Sequence, residues 1–178
     1  KSGRRAIRSL VLTPTRELAL QIGESFADYG KYTGLKHATI FGGVKQGPQT
    51  DRLRRGVDIL IATPGRLLDL IAQGEIELGS LSHFVLDEAD RMLDMGFFDD
   101  VTKIIERVKN RKNLGLFSAT ISQEVMTVSW MYQRDEVEIT VPADVENRPD
   151  ITQYSITCPP LEKVDMAIRL IRTLALER

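Results

Sequence analysis

The chain has 178 residues, 42% of them hydrophobic and 28% charged, with 13 Gly and 7 Pro. That suffices for one globular domain, or for one domain and part of another. No apolar run approaches the roughly 18 residues of a membrane span, and no sustained apolar stretch follows the basic start, so a cytoplasmic protein without a membrane partner is expected. A single cysteine, Cys158, excludes an internal disulfide, and the isolated His37 and His83 offer no zinc-ligand cluster.

The formal net charge of -1 conceals an asymmetry. Residues 1–66 carry 12 Lys+Arg against 5 Asp+Glu, and residues 67–178 carry 12 against 20. Such a split suits a polyanion-binding face followed by a metal or nucleotide site, and equally two differently decorated surfaces.

In chain order, apolar runs predict strands at Ile7 to Leu12, Lys36 to Phe41, Val57 to Ala62, His83 to Leu86, Leu114 to Phe117 and Val137 to Val141. Amphipathic stretches between them predict helices at Glu17 to Tyr32, Thr50 to Arg55, Arg66 to Ala72, Phe98 to Val108 and Gln123 to Tyr132. Runs such as Val57 to Ala62 are continuous rather than alternating, as parallel strands covered on both faces require. The order implies an α/β fold, a doubly wound parallel sheet, over residues 1–141. Residues 142–150 hold two prolines and little apolar content and read as a linker. Residues 151–178 offer one strand, Ile151 to Thr157, and one helix, Leu161 to Leu176, too little for a core of their own and therefore the start of a truncated second domain.

Ligands of open parallel sheets bind at the carboxyl ends of the strands. After the fourth run comes Asp87-Glu88-Ala89-Asp90, an acid pair suited to Mg²⁺ binding and water activation, or an ordinary acidic strand-to-helix turn. After the first, Pro14-Thr15-Arg16-Glu17 opens a helix whose free N–H groups make an anion site. Thr63-Pro64-Gly65-Arg66 repeats that design after the third, and Gly42-Gly43 after the second permits close backbone approach by a ligand. Each is also a common turn or cap. Together they form a row of phosphate-sized sites. Ser118 and Thr120, after the fifth run, are placed to hydrogen-bond Asp90.

The ordered set PTRELA (14–19), GG (42–43), TPGR (63–66), DEAD (87–90) and SAT (118–120) resembles the DEAD-box ATP-dependent RNA helicases, over nearly the whole chain. The resemblance implies a RecA-like domain of the P-loop NTPase type, with ATP and Mg²⁺ as cofactors and RNA as partner. It implies that Asp87 holds Mg²⁺ through water, Glu88 activates the hydrolytic water, and Asp90, Ser118 and Thr120 couple hydrolysis to domain closure. Pro14, Thr15, Arg16, Glu17, Gly42, Gly43, Thr63, Pro64, Gly65 and Arg66 would hold the RNA sugar-phosphate backbone. The resemblance is incomplete, because no G-x-x-x-x-G-K-[ST] occurs in the 178 residues. The expectation is therefore a fragment of the helicase that is inactive alone and lacks the P-loop strand, with open sheet edges at Leu114 to Phe117 and Val137 to Val141. A non-hydrolysing RNA-backbone or partner-binding module and a DNA-directed motor are the alternatives. Trp130 and Met126 are expected to pack, Cys158 to be inert, and Arg52, Arg54 and Arg55 to form a solvated face.

Overall fold

The computed structural model describes residues 5–108, 110–141, 152 and 154–173. The chain divides into two compact units, Lys1–Val137 and Glu138–Arg178, each described by itself.

The first unit is a five-stranded sheet built from β1 (Ser9–Leu12), β2 (His37–Ile40), β3 (Ile59–Ala62), β4 (His83–Leu86) and β5 (Asn113–Leu116). Its order is β2-β3-β1-β4-β5, and every neighbouring pair is parallel. The connecting helices are α1 (Arg16–Tyr29), α2 (Gly47–Arg54), α3 (Pro64–Ala72), α4 (Ala89–Met92), α5 (Phe98–Arg107) and α6 (Gln123–Tyr132). From β1 the chain runs outward to β2, returns through β3, and crosses β1 to reach β4. The crevice between β1 and β4 is thus where the connections part, the position at which doubly wound sheets take their ligands.

Burial explains why these runs form strands. Leu10 and Leu12 of β1, Leu60 of β3, and Phe84 and Leu86 of β4 join one large cluster with Leu67 and Leu70 of α3 and Ile104 of α5. Val11 and Ile61 turn to the other face, where Ala19, Ile22 and Phe26 of α1 cover them. Alternate residues of one strand feed opposite cores, so the sequence must be apolar throughout.

At the amino end of the sheet, the buried Asp58 accepts from Arg5 at 2.5 Å, Arg8 at 3.0 Å and the Lys36 N–H at 2.9 Å. Burial alone would push its carboxyl up. The Lys36 N–H and the two guanidiniums outweigh that and hold it below the usual carboxylate range.

Each outer strand is capped by a glutamine. At β2, Gln49 Oε1 accepts from the Phe41 N–H at 3.0 Å and its Nε2 donates to the Phe41 carbonyl at 3.1 Å. At β5, Gln133 Nε2 donates to the Leu114 carbonyl at 2.9 Å.

Several expectations need correction. Residues 137–141 form no strand, and Val137, Ile139 and Val141 are each more than 80% exposed. A strand needs a neighbour to take its backbone groups, and these residues have none among the described residues. After the acidic turn, α4 runs into a wide helical turn, Leu93–Phe97, which breaks at Gly96, where φ is 86°. Trp130 is 63% exposed rather than packed, because Val125 and Val128 face the core and position 130 falls on the opposite side of α6. Met126 is half-buried, as is Cys158. Arg52, Arg54 and Arg55 are exposed, with Arg54 paired to Glu75 at 2.5 Å.

In the second unit, a single tight turn at Pro160–Glu162 leads into α7 (Lys163–Thr173), whose Val164, Ile168 and Ile171 are exposed. Of the expected strand 151–157, residues 151 and 153 lie outside the described residues, and Tyr154 to Thr157 are not in a strand. The linker 142–150 and helix positions 174–176 also lie outside the described residues.

Candidate functional site at the carboxyl edge of the sheet

The acidic turn is set by β4. The Asp87 N–H donates to the Leu12 carbonyl at 2.9 Å, which fixes the turn at the β1–β4 crevice. Asp87 Oδ1 accepts from the Glu88 N–H at 3.1 Å, and both acids are half-buried. Glu88 adopts the left-handed conformation, φ 49° and ψ 52°, which reverses the chain before α4. Its Oε2 meets Arg91 Nη1 at 3.0 Å.

Asp90 is buried in the first turn of α4, and it joins two strand ends. Its Oδ2 accepts from the Thr120 N–H at 2.8 Å and the Thr120 hydroxyl at 2.6 Å, while Oδ1 accepts from the Arg91 N–H at 2.9 Å. Ser118 also bonds Asp90, at its backbone: its Oγ accepts from the Asp90 N–H at 3.1 Å and donates to the Thr120 carbonyl at 2.7 Å. The Thr120 hydroxyl is the largest influence lowering the Asp90 pKa; burial opposes it, and the Arg91 and Thr120 N–H groups help it, so the carboxyl stays below the usual range. A charged, fully accepting carboxylate thus ties the segment after β4 to the segment after β5.

The other strand ends form a second cluster. Thr15 caps α1 by accepting from the Leu18 N–H at 3.3 Å, with Glu17 exposed in the first turn and Pro14 buried behind it. Arg16 projects over the Phe41 ring, 5.2 Å from its centroid. Gly42 and Gly43 follow, exposed, and Gly43 has a φ of 75° that a side chain would strain. Thr63 and the buried Pro64 start α3, although the Thr63 side chain makes no cap bond; Gly65 is exposed with open space around it. Arg66 reaches from α3 to the glycine loop, where Nη2 donates to the Val44 carbonyl at 3.1 Å and Nη1 is buried without a partner. The residues after β1, β2 and β3 therefore meet around one loop.

Three glutamines of this arrangement escaped sequence reading. Gln49 holds the backbone of Phe41 just before Gly42, and Gln46 pairs reciprocally with Gln73 at 2.6 and 3.3 Å, tying the start of α2 to the end of α3. A polar residue of this kind follows no periodicity, and no local signal marks it.

The acids do not make an all-protein metal cage, since no group of three or more His, Cys, Asp or Glu converges among the described residues. Mg²⁺ commonly needs only one or two carboxylates alongside phosphate oxygens and water. Asp87, half-buried and anchored by backbone on both sides, fits that use.

Comparison with known proteins reveals a consistent set of relatives. The family model described as DEAD/DEAH box helicase matches residues 2–128. The probable ATP-dependent RNA helicase DDX17 of Mus musculus is 41% identical over 170 residues, 95% of this chain and 26% of that protein. The ATP-dependent RNA helicase dbp2 of Schizosaccharomyces pombe is 45% identical over 132 residues, 74% of this chain and 24% of that protein. Among solved structures, a hypothetical ATP-dependent RNA helicase from Sulfolobus tokodaii matches 72% of this chain and 39% of its own, with a TM-score of 0.69 and 45% identity. The yeast splicing factor Prp28 matches 73% of this chain and 31% of its own, with a TM-score of 0.70 and 32% identity. The chain spans about a quarter of the length of these curated relatives.

Proposed function

Starting from a chain that belongs to the DEAD/DEAH box helicase family, we propose that these residues supply the RNA grip and the hydrolytic acids of an ATP-dependent RNA helicase. The observation that carries this reading is the Asp90 link to Thr120 and Ser118, which joins the acidic turn to the hydroxyl-bearing loop at the same sheet edge.

ATP with Mg²⁺, when bound, supplies the scissile phosphoanhydride bond and neutralises the charge that develops on its transfer. Asp87 would hold the metal through water. Glu88 would accept the proton of the attacking water, and its half-buried carboxylate already faces a cation, Arg91, that must be exchanged when it does so. Asp90 remains charged at neutral pH and keeps Thr120 in place, so a displacement at either strand end is felt at the other. No G-x-x-x-x-G-K-[ST] segment occurs in the 178 residues, so the phosphate cradle is not among the groups assigned here.

Thr15, Arg16, Gly42, Gly43, Thr63, Pro64, Gly65 and Arg66, with Pro14 and Glu17 shaping the first helix, would hold RNA. Exposed N–H groups at the α1 and α3 starts, two arginines and a glycine loop suit a sugar-phosphate backbone and offer no base-reading contact. Fusing the chain behind the P-loop segment of a relative and measuring RNA-stimulated phosphate release tests the assignment. Glu88→Gln should abolish release and leave nucleotide binding unchanged. Persisting hydrolysis would remove Glu88 as the base, and equal affinity for matched DNA and RNA strands would remove the RNA assignment.

A further inference from the structure

The open side of β2 carries a groove of about 520 Å³ that meets the site above at Arg16, Phe41 and Val44 and extends away from it along the edge strand. One wall is α1, with Leu20, Gly23 and Ala27; the other is α2, with Pro48 near its start and Arg52 in its last turn. The floor is the edge strand, at His37, Thr39 and Phe41.

Register dictates what that floor presents. The Lys36 and Ile40 carbonyls accept from Ile59 and Thr63 on the β3 side. At a period of two, the backbone N–H and C=O groups of His37, Thr39 and Phe41 therefore turn to the groove. At Phe41 both are taken by the Gln49 carboxamide. A carboxamide is the side-chain equivalent of a peptide group, so Gln49 pairs with the edge much as a neighbouring strand would. Among the described residues no group does the same at His37 or Thr39. The α1 wall is low above Thr39, where Gly23 approaches so closely that a Cβ would lie 2.6 Å from Thr39 Oγ1. The rim is cationic, with Arg16, Lys45 and Arg52 against Glu24.

We propose that this groove binds an extended acidic peptide, which adds to β2 as a further strand beside Thr39 and sets its carboxylates against Arg52 and Lys45. Strand addition draws affinity from main-chain bonds and specificity from flanking side chains, which the open edge and the charged rim respectively provide. A nucleic-acid strand fits less well. It has no N–H and C=O ladder to match the floor, and stacking needs an open aromatic face, whereas the Phe41 ring is covered by Arg16. Arg16 is shared with the proposed RNA grip, whereas His37, Thr39, Lys45 and Arg52, which carry this proposal, are not.

The ¹⁵N-labelled chain, titrated separately with a capped Asp-Val-Asp-Val-Asp-Val peptide and with oligouridylate, tests it by NMR. The peptide should shift the His37 and Thr39 amides and slow exchange of the Thr39 N–H. Arg52→Glu should weaken peptide binding about five- to tenfold while leaving the remaining spectrum in place, because an exposed attraction becomes a repulsion. Thr39→Pro removes an edge donor that β3 does not use and should abolish binding; if that variant unfolds, Arg52→Glu decides alone. Peptide shifts that spare His37 and Thr39, undiminished binding by Arg52→Glu, or shifts of these amides by oligouridylate but not by peptide would each overturn it.

Discussion

Replacing Asp90 by alanine removes three acceptor bonds at once, two to Thr120 and one to the Arg91 N–H. A hydrogen bond to a charged group contributes about 1.5–3 kcal/mol, and donors left bare add a desolvation cost. Thr120 is exposed, so water recovers part of the loss there. The expected net destabilisation is about 3 kcal/mol, and about 2 kcal/mol for Asp90→Asn, which keeps one acceptor but sets an amide N–H₂ among donors. Urea unfolding at pH 7 should show the midpoint falling with the slope unchanged. Acid provides a second reading of the same bond set. Because the folded carboxyl titrates below its unfolded value, its stabilisation is complete above the unfolded pKa near 4 and is lost as pH falls through the folded value. Asp90→Asn should therefore flatten the acid limb of the stability curve. A loss under about 1 kcal/mol, or an unchanged acid limb, would refute the view that Asp90 is a charged structural link.

Three further outcomes follow from the same geometry. Asp58→Asn at the opposite end of the sheet should also flatten the acid limb, and its effect should add to that of Asp90→Asn, since the two sites share no partner; urea titrations of the double variant check additivity. Gly43→Ala should cost about 1 kcal/mol from its positive φ, whereas Gly42→Ala, with open space and no positive φ, should be nearly neutral; paired thermal melts distinguish them. Arg66→Ala should weaken single-stranded RNA binding across unrelated sequences and reduce the salt slope by roughly one; anisotropy titrations at several salt concentrations give that slope.

Much of this architecture was legible in residue order. The ends of β4 and α6 agree with the apolar and amphipathic runs, because β4 is bounded by a polar turn on each side and α6 opens on a capping serine, Ser122. The remaining strands begin one or two residues inside or outside their apolar runs, where the first residues meet Asp58 or a turn rather than a ladder partner. The strand-end clusters were legible as positions, and of their wiring only the meeting of Ser118 and Thr120 with Asp90 was. Arg66 bonding to Val44 and Gln49 clasping Phe41 join different elements through polar groups that obey no period. Residues 137–141 misled for the converse reason: alternating apolar character describes a capacity to pair, and pairing needs a partner that the described residues do not supply.

The left-handed backbone at Glu88 bears on how this chain would respond to selection. A side chain with φ 49° sits where glycine or asparagine is at ease, and the strain persists because β4 anchors the turn on one side and the Met92 N–H grips the Glu88 carbonyl on the other. A laboratory lineage chosen only for heat resistance would drift at this position toward glycine and lose the carboxylate. Position 88 is thus a place where durability and chemistry pull apart, and an acid found there records which of the two prevailed.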